Sequence, residues 1–194
     1  MGQLGFYIDM RRCSGCRCCQ VACKDVKDLE VGVLFRRVHD YEGGTFPDVW
    51  AASLSLACNH CEQPQCVAVC PVAAISKDEE TGLVVQDQKM CIVCERCVRH
   101  CPYGEPKYVP SLMLVGKCDG CIAFVSEGEL PACVAACSTR CLKFGELDEL
   151  RQTYEEVGGI GLTSDLPVLP DSSETMPSLL ITAKPQMQML ASEE

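Results

Sequence analysis

Histidine is scarce in this chain, at 3 of 194 residues, tryptophan occurs once, and aromatics make up 6%. A site built on several imidazoles is thereby excluded. No apolar run approaches the ~18 residues that a membrane-spanning helix needs. Basic residues are few as well: 17 Lys+Arg against 27 Asp+Glu leave a formal charge of -10, with no basic stripe to neutralise phosphates. Nucleic acid is an unsuitable ligand for such a surface. The opening MGQLGFYIDMRRC lacks the apolar stretch of a signal peptide, and after Arg11-Arg12 cysteines stand where a twin-arginine export signal needs its hydrophobic segment. There is no G-x-G-x-x-G, no P-loop and no plausible Ser/His/Asp set.

Cysteine is what the chain has in excess, 18 residues of it. That is about 9% of the chain, in the range where cysteine sets the fold. The 47% hydrophobic content includes these cysteines, so a conventional apolar core is thin for this length. Sixteen fall into four groups of four: Cys13, Cys16, Cys19, Cys23; Cys58, Cys61, Cys66, Cys70; Cys91, Cys94, Cys97, Cys101; and Cys118, Cys121, Cys133, Cys137. The first and third share the spacing C-x2-C-x2-C-x3-C. Cys18 and Cys141 are left over.

Disulfides, structural zinc and iron-sulfur clusters are the chemistries that use so many thiols. Disulfides suit a small secreted chain, but the crowding between Cys13 and Cys19 puts neighbouring thiols in competition. Zinc favours two short knuckles separated by a dozen residues or more, which only the fourth group imitates. A compact C-x2-C-x2-C loop instead puts three thiolates on three irons of a cube. C-x3-C then places the next cysteine on an opening helix, aimed elsewhere, and in two-cluster ferredoxins that fourth cysteine ligates the other cluster. Pro71 and Pro102 complete the bacterial ferredoxin ending C-P in groups two and three, whereas Lys24 and Ser138 take that place in groups one and four. The repetition of the run points to four 4Fe-4S clusters.

The strings GFYIDMRRCSGCRCCQVACKD, LSLACNHCEQPQCVAVCP, KMCIVCERCVRHCPYG, GKCDGC and FGELDELR resemble the four-cluster electron-transfer subunit of the dimethyl sulfoxide reductase type of molybdenum enzyme. The likeness runs from about Gly5 to Arg151 and takes in all four groups in order. It implies cross-pairing, group one with four and two with three. Carried over, Cys13, Cys16 and Cys19 share a cluster with Cys137; Cys58, Cys61 and Cys66 with Cys101; Cys91, Cys94 and Cys97 with Cys70; and Cys118, Cys121 and Cys133 with Cys23. Cys18 departs from the pattern beside Cys19, and Cys19 is favoured because only it preserves the spacing. Cys141 reads as a buried structural thiol.

Cross-pairing implies an α+β fold of two ferredoxin-like dicluster modules related by a pseudo-twofold repeat, one inserted in the other. The inserted module spans 58–109 and the outer one 1–57 plus 110–146. GFYIDM and TGLVVQD read as strands leading into cluster loops, and helices are expected near the third cysteine of each group. The stretch 33–57 reads as a hairpin turning at Glu42-Gly43-Gly44-Thr45, with Trp50 in the core. From 147 to 194 the reading is a short amphipathic helix, ELDELRQTYEEVG, and an extended arm, its apolar segment SLLITAKP lying on a partner subunit.

A fully thiolate-ligated cube leaves no open site for bond chemistry, so the chain is expected to conduct electrons and not to catalyse. Arg17, Lys24, Arg96, Arg99 and Lys117 are candidate cations for tuning the clusters. His60 and His100, beside cluster cysteines, suit hydrogen bonding or solvent exposure better than ligation. The resemblance implies two partners: a catalytic subunit with a molybdenum bis-pyranopterin cofactor and a quinol-oxidising membrane subunit. It places the chain at the membrane through those partners, on the extracytoplasmic face by preference. Dimethyl sulfoxide or another S- or N-oxide is the leading acceptor; a sulfur compound or an aromatic hydroxyl are alternatives. Outside that family, a free multi-cluster ferredoxin and a zinc-stabilised scaffold remain.

Overall fold

The computed structural model describes residues 2–192. Residue 1 of the expected outer module and residues 193 and 194 of the expected arm lie outside the described residues. The elements are arranged around the cysteine groups. β1 (Leu4–Asp9) leads into group one, and α1 (Cys18–Val26) opens within it. β2 (Arg36–Gly43) leaves that group, β3 (Trp50–Ala57) enters group two, and α2 (Gln65–Ala68) carries Cys66. β4 (Ile75–Lys77) leaves group two, β5 (Val84–Gln86) enters group three, and α3 (Arg96–His100) carries Cys97. β6 (Lys107–Val109) leaves group three and β7 (Leu114–Gly116) enters group four, which holds α4 (Ile122–Ser126) and α5 (Ala132–Ala135) with Cys133. β8 (Leu142–Glu146) and α6 (Leu147–Tyr154) follow. The short strands β9 (Glu156–Val157), β10 (Ile160–Gly161) and β11 (Leu179–Thr182) complete this mixed α+β fold. A helix does open near the third cysteine of each group.

Strand pairing follows one rule. β2 pairs with β3, β4 with β5, β6 with β7 and β8 with β1, each antiparallel. Every strand that leaves one cysteine group thus pairs with the strand that enters the next, and the last group closes on the first. Inside each group the residue before the second cysteine has a positive φ: Gly15 at 68°, His60 at 45°, Val93 at 55° and Gly120 at 70°. That local reversal turns successive thiols to one side of a short loop. Glycine adopts it freely, whereas β-branched Val93 pays about 1–3 kcal/mol in backbone strain, which the surrounding site must offset.

The hairpin forms as expected, but its reversal lies further along. Gly43 remains paired with Trp50, and the chain turns over residues 44–49. The indole explains the shift: a Cβ on Gly43 would stand 2.8 Å from the Trp50 ring, so the glycine admits the ring rather than making the turn. Trp50 itself packs against the main core, as expected.

The largest departure is in the tail. SLLITAKP is too apolar for solvent, which is why a partner surface is expected for it, yet the structure covers it from within the same chain. β11 pairs in parallel with β1, giving a three-stranded sheet of order β11-β1-β8, and all four of its residues are buried. The amphipathic helix is also shorter than its sequence suggests, because Gly158 and Gly159, at φ 63° and 78°, turn the chain into the β9–β10 pair. Tyr154, the last residue of α6, stacks on Tyr7 of β1 with ring centroids 4.0 Å apart. Ile181→Ala should therefore lower the stability of the isolated protein by about 2–5 kcal/mol, read as a lower Tm in a thermal melt. An unchanged Tm would return the segment to the role of a loosely held arm.

Candidate functional site

Cys58, Cys61, Cys66 and Cys101 line one cavity, closed by Pro64, Tyr103, Glu105 and Thr175 among others. Cys70, Cys91, Cys94 and Cys97 line a second, beside Val72, Ile75 and Val115. Each cavity takes three cysteines from one group and the fourth from another. The packing of α2 on α3 brings the two groups together. Cys13, Cys19, Cys133, Cys137 and Cys141 meet in a third place, the core cluster that also holds Phe6, Ile8 and Met10. Cys16 Sγ lies 3.5 Å from Ser138 Oγ, next to Cys137. Cys23, about one helical turn beyond Cys19 on α1, is buried with Cys118 and within electrostatic reach of Cys133 and Cys121. Here α1 packs on α5.

Tetrahedral zinc, with Zn–S of ~2.3 Å, draws its sulfurs to within about 3.8 Å of one another. Among the described residues, no three or more of His, Cys, Asp and Glu are grouped closely enough to hold one metal ion. Burial pushes the Cys23 and Cys66 thiols up to about 12 and Cys61 up to about 11, and it carries Cys118 well above the ordinary range. Bare thiols in such surroundings keep their protons at neutral pH, so a metal has to displace them.

The two leftover cysteines differ. Cys18 is exposed, whereas Cys19 is buried with its Sγ 3.3 Å from Ser55 Oγ. Cys141 is buried, as expected, but its Sγ also lies 3.5 Å from Cys137 Sγ, in the core cluster against which Cys13 packs. Its position outside the groups does not announce that placement.

Most of the candidate cations are engaged with oxygen. Arg17 pairs with Asp40 at the surface, Lys24 donates to the carbonyls of Glu30 and Val33, and Arg99 donates to the Cys94 carbonyl. Arg96 borders the second cavity. Lys117 is buried, donating to the carbonyls of Val84 and Cys118. His60 is fully buried in a hydrogen-bonding position: Nδ1 accepts from the Val84 N–H at 2.9 Å, so Nε2 carries the proton and faces Cys118 Sγ at 3.8 Å. Burial, aided by Lys117 and Arg36, pushes its pKa well below 6.5 and keeps it neutral. His100 is exposed, with Nδ1 2.9 Å from the Arg96 carbonyl.

Two contributors stand outside the sequence motifs. Arg36 is 2% exposed, with Cys133, Cys118, Cys19 and Cys23 within its electrostatic reach. The alternation in FRRVHDY, which places Arg36 on the inward face with Val38, is the signal that could have found it. Thr175, in the tail, lines the first cavity and donates to Tyr103 Oη at 3.2 Å. The tail also covers the group-two loop: the N–H groups of Glu62 and Gln63 donate to the carbonyls of Met176 and Thr175.

Comparison with known proteins agrees with this geometry. The family described as "4Fe-4S dicluster domain" matches residues 49–147. One of the chains of anaerobic dimethyl sulfoxide reductase from Escherichia coli is 43% identical, over 92% of this chain and 88% of its own length. Its counterpart in the Haemophilus influenzae enzyme is 40% identical, over 93% and 89%. A sulfite dehydrogenase subunit of Allochromatium vinosum is 32% identical, over 84% and 78%.

The contrast between the adjacent thiols gives a direct test. Cys18→Ser should leave iron per chain unchanged, whereas Cys19→Ser should lose iron equivalent to one cluster, about four atoms. The reverse pattern in an iron assay would move the ligand to Cys18.

Proposed function

The protein belongs to the family of 4Fe-4S dicluster proteins that includes this chain of anaerobic dimethyl sulfoxide reductase, and from that premise we propose that it is the electron-transfer subunit of a molybdenum oxidoreductase complex, with four 4Fe-4S clusters. It conducts and does not catalyse. A cube held by four thiolates takes up and returns one electron without making or breaking a substrate bond. The reading is carried by the cavity that Cys58, Cys61 and Cys66 share with Cys101, since three ligands from one loop and a fourth from another group is the pattern of a dicluster protein.

The ligand sets we assign are Cys13, Cys16, Cys19 and Cys137; Cys58, Cys61, Cys66 and Cys101; Cys91, Cys94, Cys97 and Cys70; and Cys118, Cys121, Cys133 and Cys23. They divide the chain into a module at 58–109 set within an outer module of 1–57 and 110–146. The closed succession of strand pairs supports that repeat. To the outer module we add β11, through its pairing with β1.

In the complex, the protein passes electrons from a quinol-oxidising membrane subunit to a subunit that carries molybdenum bis-pyranopterin, which reduces dimethyl sulfoxide or another S- or N-oxide. The identity of 43% to the dimethyl sulfoxide reductase chain, against 32% to the sulfite dehydrogenase subunit, favours that acceptor class over other sulfur compounds. No described helix is long and apolar enough to cross a membrane, so attachment falls to the partners, on the extracytoplasmic face. Because the segment expected on a partner folds onto β1, the preference for a subunit over a free ferredoxin rests on the family.

Iron and acid-labile sulfide on anaerobically purified protein should each come to about sixteen per chain, four cubes of four. Dithionite reduction should give interacting S = 1/2 EPR signals, and a tagged chain should retain a molybdenum subunit on purification. Zinc in place of iron would overturn the reading; full iron without a molybdenum partner would favour the free ferredoxin.

A further inference from the structure

β2 delivers a charge to the inside of the protein. A buried cation persists only where hydrogen bonds or negative charge replace its water, and Arg36, 2% exposed, is short of both. Among the described residues the ion pairs join Arg11 to Asp9, Arg17 to Asp40, Lys27 to Asp119 and Arg151 to Asp148, and none of them includes Arg36. Its Nη1 donates to the carbonyl and hydroxyl oxygens of Ser55, each at 3.2 Å. Its guanidinium carbon lies 4.7 Å from the centroid of the Phe6 ring. Nε is buried with no hydrogen-bond partner among the described residues. The thiols within its electrostatic reach come from both α1 and the fourth cysteine group.

Ser55 adds a direction. Its oxygen accepts from Arg36, which leaves the one hydroxyl proton for Cys19 Sγ, 3.3 Å away. Arg36, Ser55 and Cys19 therefore form a relay of hydrogen bonds in which each bond polarises the next.

We propose that Arg36 and Ser55 set the reduction potentials of the two clusters housed by cysteine groups one and four, with Arg36 as the counter-charge shared by both and Ser55 as a donor to Cys19 alone. The inference rests on the ligand sets assigned above. Reduction adds negative charge to a thiolate-held cluster, and a fixed cation in a low-dielectric interior favours that state. A hydrogen bond to a ligating sulfur acts in the same sense. Both are positioning residues, because they act through the cysteine ligands.

The test is an EPR-monitored redox titration of the cluster-loaded complex, with iron counted per chain. Arg36→Gln should lower two of the four midpoints, each by at least a tenfold change in the ratio of reduced to oxidised cluster at fixed potential, ~59 mV for one electron. Arg36→Lys should restore most of that shift. Ser55→Ala should lower one midpoint, and that one should be among the two that Arg36→Gln moves. Full iron with four unmoved midpoints, or an equal shift of all four, overturns the inference. If Arg36→Gln fails to load iron, Ser55→Ala decides: one lowered midpoint supports the inference, and none overturns it. Wild-type protein short of four cubes fells the ligand sets instead, a result visible before any variant is made.

Discussion

In each of two cavities four thiols converge, and no single loop supplies all four. A short cysteine loop brings three; the next cysteine comes on the helix that opens there in group one and just past its end in the other three groups, so it joins a neighbouring group. The fourth member of each cavity is therefore borrowed, as Cys101 is for the loop of Cys58, Cys61 and Cys66. Much of the architecture follows from that exchange. The helices pack in pairs, α1 on α5 and α2 on α3. The strands between groups pair as they leave and return, until β8 closes on β1.

A core built partly of thiols has an electrostatic problem that an aliphatic core lacks. Without metal, burial keeps sulfurs such as Cys66 and Cys118 protonated, and they pack as small apolar groups. With metal, the same positions carry negative charge in a medium that solvates it poorly. The interior answers with its own donors: Arg36 and Lys117 as buried cations, and neutral His60 with its Nε2 proton facing Cys118. The formal charge of the whole sequence is -10, so these inward cations cannot be an overflow of surface basicity. They mark where negative charge is to be held.

Whatever depends on short spacing is legible in the sequence. The cysteine runs, the strands GFYIDM and TGLVVQD and the helix starts are local features, and each appears where its residues place it. What escapes a reading of the sequence depends on distant partners. The apolar run of β11 is too short to name its neighbour, and β1 lies at the other end of the chain. Arg36 is easily passed over because arginine is usually a surface residue, although the strand alternation already turns it inward. The hairpin reversal lies further along than its glycines suggest because Gly43 serves the Trp50 ring. Thr175 reaches its cavity only because the tail folds back across the group-two loop, which no neighbouring residue could indicate.

That return of the tail ties together parts that the cysteine exchange leaves independent. The Ser178 carbonyl accepts from the Phe6 N–H on β1, its own N–H donates to the Asn59 carbonyl, and its hydroxyl donates to the His60 carbonyl. One residue thereby fixes the strand that enters group one against the loop of group two. The approach is close enough that a Cβ on Gly5 would stand 2.6 Å from the Ser178 oxygen, so glycine is needed on β1 for the contact to form. Ser178 is 1% exposed, and its hydrogen bonds are shielded from competing water. A protein that passes electrons between separate sites needs the sites held at fixed separations, and rigid backbone contacts serve that better than flexible side chains. The residues after the last cysteine group therefore act as a brace between the first two.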